Sequence, residues 1–330
     1  MPRVSSYDLA RRNGDERGDE RVRFSYNCKG GSVDKINAFL WFSDQAEEAA
    51  SQYASLFGNS GVGRVVRYRG DAAKASGRFE GSVMTVAFRL EGEEFVALNG
   101  GPIFRFTPAL SFFVNCATED EVDRIWRGLS AGSRVLMELG EYPFSRKFGW
   151  IQDKYGLSWQ LNFGPRSQKI APFLLFVGKE HGRAEEAAGF YTSIFHDSAI
   201  RTIERFKRGE PGMEGTVKHM VFSLSGKEFM AMDSNLSHDF TFNEAVSFVV
   251  NCEDQDEIDY YWDRLSAGGD EKAQQCGWLK DKYGLSWQIV PTALAKMMND
   301  KDPKRVVRVT EAFLKMKKFD INALKKAYEG

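Results

Sequence analysis

The octapeptide Asp153-Lys-Tyr-Gly-Leu-Ser-Trp-Gln160 returns residue for residue at Asp281–Gln288. Eight identical residues so far apart mark an internal duplication, and a repeat sets the architecture before any finer reading. The motif also reads as one local unit. Asp153-Lys-Tyr-Gly156 is a turn whose glycine can take a positive φ. From Leu157 the pattern alternates, with Leu157, Trp159 and Leu161 on one face and Ser158 and Gln160 on the other. This predicts a strand with its Trp in the core and an amide on the opposite side.

Working outward, each half runs through the same order. INAFLWF (Ile36–Phe42) reads as a buried strand and is followed by a helix carrying Ala46, Ala49, Tyr53 and Leu56, with Asp44 as the candidate cap. Extended runs over Gly63–Tyr68, Ser82–Leu90 and Glu94–Leu98 come next, the last two joined by a Glu91-Gly92 hairpin turn. ALSFFVN (Ala109–Asn115) is a fifth strand, and Thr118-Glu-Asp-Glu121 is a capping box that opens a second helix. The second half answers with FLLF at Phe173, AEEAA at Ala184, SFVVNC at Ser247 and a cap at Asp254. It is eight residues shorter before its Trp278 than the first half is before Trp150. The chain thus divides into a charged leader (1–34, expected to be disordered), a first module (35–164), a second (169–291) and a helical tail (292–330). In the tail, Asp302-Pro303 and Asp320 are helix starts.

Composition narrows the function. A net charge of −1 supplies no field for nucleic acid or anionic membrane, and no apolar run reaches the roughly 20 residues of a spanning helix. Cys28, Cys116, Cys252 and Cys276 lack C-x-x-C spacing, so free thiols in a reducing, cytoplasmic setting are expected. Arg11-Arg12 is followed by no apolar segment, which argues against an export signal. All four histidines (His181, His196, His219 and His238) lie in the second half.

The segments LWF…AEEAASQYASLFGNS, MTVAFRLEGEEFVALNGGP, FTPALSFFVNC, EVDRIW and GWIQDKYGLSWQ, with the tail RVTEAFLKMKKFDINAL, resemble the PhnB-like family, also labelled 3-demethylubiquinone-9 3-methyltransferase-like. That family sits in the glyoxalase/vicinal oxygen chelate (VOC) superfamily. The resemblance implies an α+β fold of two VOC-like modules, each of paired βαβββ units forming a curved eight-stranded sheet around a cleft. Single-module relatives usually dimerise, so this chain is expected to be a monomer with an internal pseudo-dimer, or a weak homodimer. Superfamily enzymes usually hold a divalent metal through His and Glu side chains in the cleft. The resemblance places those positions at Asn37 and Ala171 (first strand), Ala109 and Ala245 (fifth strand) and Gln160 and Gln288 (last strand). Alanine has no donor atom and amides are weak Zn²⁺ ligands, so no metal is expected. No cofactor is expected either, since Gly58-Asn-Ser-Gly61-Val-Gly63 follows a helix instead of joining a strand to one.

A small-molecule site is the remaining expectation. Candidate ligand-binding residues are Asn37, Trp41, Thr85, Ser111 and Gln160 from the first half and Ser247 and Gln288 from the second. Trp41 can serve as an aromatic wall or as core, and the two glutamines as ligand contacts or as cross-sheet hydrogen bonds. The alternative is an enzyme whose acid/base groups are His219, oriented by Asp233, with Gln288 on the same side.

Overall fold

The computed structural model describes residues 34–70, 73, 76–164 and 168–330; the expectation for the leader falls almost wholly outside them. The first module contains β1 (Ile36–Phe42), α1 (Ala46–Leu56), β2 (Gly61–Arg67), β3 (Val83–Leu90), β4 (Glu93–Asn99), β5 (Leu110–Cys116), α2 (Glu119–Ser130), β6 (Arg134–Tyr142), β7 (Ser145–Gln152) and β8 (Ser158–Phe163). The second contains β9 (Ile170–Phe176), α3 (Ala184–Ile194), β10 (Ala199–Arg205), β11 (Val217–Leu224), β12 (Lys227–Asp233), β13 (Val246–Cys252), α4 (Gln255–Ser266), β14 (Trp278–Lys280) and β15 (Ser286–Pro291). The tail folds as α5 (Thr292–Met297), α6 (Pro303–Phe313) and α7 (Ile321–Glu329).

The α+β architecture of glyoxalase-like βαβββ units is as expected, and the strand order shows how the units combine. One sheet runs β14-β15-β13-β1-β4-β3-β2 and the other β10-β11-β12-β9-β5-β8-β7-β6. Each sheet therefore takes one unit from each module. The joints are equivalent antiparallel pairings: β1 on β13 (Ile36↔Val250 to Leu40↔Val246) and β5 on β9 (Leu110↔Leu174 to Val114↔Ile170). A matching pair of ion pairs flanks them, Lys35–Glu257 at 2.7 Å and Lys169–Glu121 at 2.6 Å.

What holds a module together is the repeated octapeptide. Asp153 is buried, and its carboxylate accepts from Tyr53 Oη (2.6 Å), Trp159 Nε1 (3.0 Å) and the amides of Tyr155 (2.9 Å) and Leu157 (3.1 Å). Asp281 repeats this with Tyr191 Oη, Trp287 Nε1 and the amides of Tyr283 and Leu285. The tyrosine comes from the helix of one unit and the tryptophan from the last strand of the other. Each cluster thus pins one sheet to the other through the helical core, where Trp159 and Trp287 are fully buried. Gly156 and Gly284 sit at φ 88° and 85°, the turn geometry the motif requires.

Two features depart from the sequence reading. The cap of α1 is Asn99 from the end of β4, whose Oδ1 accepts from Ala46 N at 2.9 Å; Asp44 makes no such bond. The seven-stranded sheet lacks a partner for β6, because the shortened segment before Trp278 holds only a 3₁₀ turn at Glu271–Ala273. The tail covers that edge instead: Cys276 N donates to Met316 O (2.8 Å) and Gly277 N to Lys317 O (2.7 Å). An exposed strand edge is a pairing hazard, and here it is capped by the chain's own C-terminus.

Candidate functional site

Helices cover one face of each sheet, and the helix-free faces carry the candidate residues. On the seven-stranded sheet the registers align three rows across that face. The first is Trp278, Gln288, Val249, Asn37, Glu94 and Arg89; the second is Lys280, Ser286, Ser247, Phe39, Val96 and Ala87; the third is Trp41, Leu98, Thr85 and Val66. Asn37, Trp41, Thr85, Ser247 and Gln288 therefore share one sheet face, assembled from both modules. Ser111, Gln160 and His219 lie on the eight-stranded sheet.

The exchange corrects one expectation. Gln288 and His219 do not share a cleft, because they belong to different sheets. A second correction concerns Asp233. Its Oδ1 accepts from Gly182 N (2.8 Å) and Ala184 N (3.2 Å), and its Oδ2 from Val217 N (2.9 Å). It caps α3 as its counterpart Asn99 caps α1. Alternation along β12 puts Met232, not Asp233, beside His219, one step beyond the Met220↔Ala231 pair. Both Asp233 oxygens are taken up by backbone amides at the start of α3 and of β11. Burial pushes the Asp233 carboxyl up, against the pull of its three amide donors.

The glutamines are held by the cross-sheet bonds that were one of their two readings. Gln160 Nε2 donates to Ser111 Oγ at 2.8 Å and Gln288 Nε2 to Ser247 Oγ at 2.9 Å. Trp41 Nε1 donates to Gly101 O at 2.8 Å, while its ring stands edge-on to Phe104 (5.1 Å between centroids) and Trp278 (6.1 Å). Gly100 permits this placement, since a Cβ there would lie 2.2 Å from the indole. Phe39 meets Trp278 edge-to-face at 5.5 Å. Nothing local in the sequence marks Trp278 for this wall; the exchange of units between sheets brings it beside Phe39 and Trp41.

The two faces differ in how they are filled. On the eight-stranded sheet, Phe113, Phe148, Ala171, Phe173, Leu175, Val221 and Met230 form a buried cluster of their own. Trp150 Nε1 there donates to Ser158 Oγ at 2.8 Å. On the seven-stranded sheet, Phe39, Trp41, Leu98, Thr85 and Trp278 are only half-buried. Ser286 Oγ, the counterpart of Ser158 Oγ, is buried without a hydrogen-bond partner, and so is Asn37 Oδ1. The eight-stranded face has two such atoms, Asn115 Oδ1 near the end of β5 and Glu228 Oε2 near the start of β12, both outside its apolar cluster.

The superfamily metal does not fit either face. Asn37, Ala245 and Gln288 converge on one sheet and Ala171, Ala109 and Gln160 on the other, so each set contains at least one residue without a donor atom. Among the described residues no three His, Cys, Asp or Glu side chains come together to hold an ion. Cys116 and Cys252 are buried, and burial pushes both thiols up to about 12, far from a reactive thiolate. No helix among the described residues is long and apolar enough to cross a membrane.

The fold defines a tandem glyoxalase-like protein. The 3-demethylubiquinone-9 3-methyltransferase family model matches residues 34–162 and again 168–290, and the chain belongs to that family. Among solved structures, the PhnB protein of Bacillus cereus is 43% identical, covering 39% of this chain and 99% of its own, with a TM-score of 0.37. A protein from Staphylococcus aureus is 32% identical over 41% of this chain and 100% of its own, with a TM-score of 0.17. Glyoxalase I from Zea mays aligns over 78% of this chain and 93% of its own at 10% identity, with a TM-score of 0.48. The search of curated proteins returned no match.

Proposed function

We propose that the chain is a small-molecule-binding protein that takes a planar, largely apolar ligand on the helix-free face of the seven-stranded sheet, without metal or covalent chemistry. One observation carries the reading. That face combines half-buried aromatic rings (Phe39, Trp41, Trp278) with two buried, unpartnered polar atoms, Asn37 Oδ1 and Ser286 Oγ. A buried polar atom left unpaired costs about 1–3 kcal/mol, which a ligand bearing matching donors recovers. Apolar walls with a few convergent polar groups are the usual makeup of such sites. The eight-stranded face, packed by its own side chains, is the weaker candidate. The free, buried Cys116 and Cys252 suit a reducing, cytoplasmic setting, and the chain is read as a monomer with an internal pseudo-dimer, or a weak homodimer.

The test is native mass spectrometry of protein purified without denaturation, followed by identification of any copurifying molecule. The ligand is expected in the wild type and in His219→Gln, and lost by at least about tenfold in Trp41→Ala, the order of one aromatic contact. Retention in Trp41→Ala with loss in His219→Gln would move the site to the other sheet and overturn the reading.

A further inference from the structure

A cavity of about 560 Å³ lies between β2 and the C-terminal helices, within the range of ligand pockets. It shares no lining residue with the rows of the first site other than Val66. Its floor is Arg64, Val66, Arg67 and Arg69 from β2 and its exit, and its roof is Met298, Val306 and Val307 from the tail. The tail does not stand off everywhere. At the opposite edge of the same sheet it seals tightly on Cys276 and Gly277, where a Cβ at Gly277 would lie 2.4 Å from the Phe319 ring. The tail therefore touches both edge strands of the seven-stranded sheet, closely at β14 and across a cavity at β2.

The lining sorts by chemistry. Three arginines (Arg64, Arg67 and Arg69) and two acids (Glu80 and Asp300) line the cavity. Asp300 is already engaged within the tail: Tyr328 Oη donates to it, as do Asp302 N (2.8 Å) and Arg305 Nη1 (3.5 Å), and these bonds hold its carboxyl below the usual range. Arg67 Nη1 donates to Gly81 O at 3.0 Å, which orients its fork. The polar side is thus cationic, and guanidinium forks match carboxylates in geometry as well as charge. Val66, Met84, Met298, Val306 and Val307 supply an apolar side. Thr310 adds no polarity to it, because its hydroxyl donates to Val306 O at 2.8 Å.

We propose that this cavity is a second binding site, for an amphipathic organic acid whose carboxylate meets the arginines of β2 while its apolar body lies under α6. Isothermal titration with decanoate tests it on the full chain. One decanoate is expected per chain, with the neutral analogue decanol and inorganic phosphate each binding at least about tenfold more weakly, the worth of roughly one charge-assisted contact. The double variant Arg67→Gln/Arg69→Gln, altering exposed residues, should lose decanoate affinity about tenfold or more at unchanged melting temperature. Val307→Trp, which fills the apolar end, should abolish binding with the arginines intact. Binding of decanoate and decanol with equal affinity would overturn the proposal. So would unchanged decanoate affinity in both variants, or no heat from decanoate at millimolar concentration.

Discussion

A chain carrying only residues 34–164 should be a homodimer with no detectable monomer at micromolar concentration. In the full chain β1 is paired with β13 and β5 with β9, so removing the second module strips one neighbour from the central strand of each sheet. Both strands carry apolar residues on their helix-covered faces, and a long unpaired edge of this kind seeks a partner. The partner is available in a second copy. Ser111-Phe-Phe-Val-Asn-Cys116 repeats Ser247-Phe-Val-Val-Asn-Cys252 at five of six positions, so β1 of one copy can take β5 of the other as it takes β13 here. Two such joints rebuild both sheets, a large interface of the obligate type. Light scattering on the eluting species should give twice the module mass. A monomer with native near-ultraviolet dichroism would show that the units can instead pair within one module, and the exchange would not be a property of the sequence.

The same likeness explains what could and could not be read from the residues. Alternation, caps and the Asp-Lys-Tyr-Gly turn are local, and the strands, Thr118, Asp254, Asp302 and Asp320 caps and buried Trp159 follow from them. Which β5-like strand β1 chooses is not local. Both offer the same side chains, so the sequence is nearly neutral between a sheet closed within a module and one shared between modules. For that reason the sequence alone groups Gln288 with His219, residues that lie on different sheets. Asp233 failed differently. The Ser225-Gly226 turn leaves the β11–β12 register open, and a slip of one residue carries a side chain to the other face. Its kinship with Asn99 is the signal that was available: equivalent positions at the ends of β4 and β12, each followed in space by the same Ala-Glu-Glu-Ala-Ala helix start. Trp278 and Ser286 show a further limit. Their first-module counterparts Trp150 and Ser158 bond each other, and only three-dimensional packing reveals that the second pair does not.

Asp281→Asn should lower stability by about 3 kcal/mol, which for a module of this size is roughly 10 °C in melting temperature. The carboxylate is an acceptor for four donors, two on each oxygen: Tyr283 N and Leu285 N at 2.8 and 3.1 Å, Tyr191 Oη and Trp287 Nε1 both at 2.8 Å. An asparagine of the same shape turns one oxygen into an NH₂ group. Whichever oxygen is replaced, two buried donors face another donor. The loss is therefore one of bonding with packing conserved, and Asp153→Asn should show it in the first module. The pH dependence separates this from a general weakening. Burial raises the Asp281 carboxyl from 3.8 to about 6, against the bonds from Trp287 and Tyr191, which pull it down. A folded value above the unfolded one means the native state holds this proton more tightly. That contribution is complete below about pH 4 and disappears as the pH rises through 6. Between pH 7 and pH 5 the wild type should thus gain about 1 kcal/mol that the Asp281→Asn protein, lacking the titration, cannot gain. Denaturant unfolding of both proteins at the two pH values measures it directly: the gap between them should widen on acidification. A gap that stays constant or narrows would mean that Asp281 is buried with its charge already settled by its four donors.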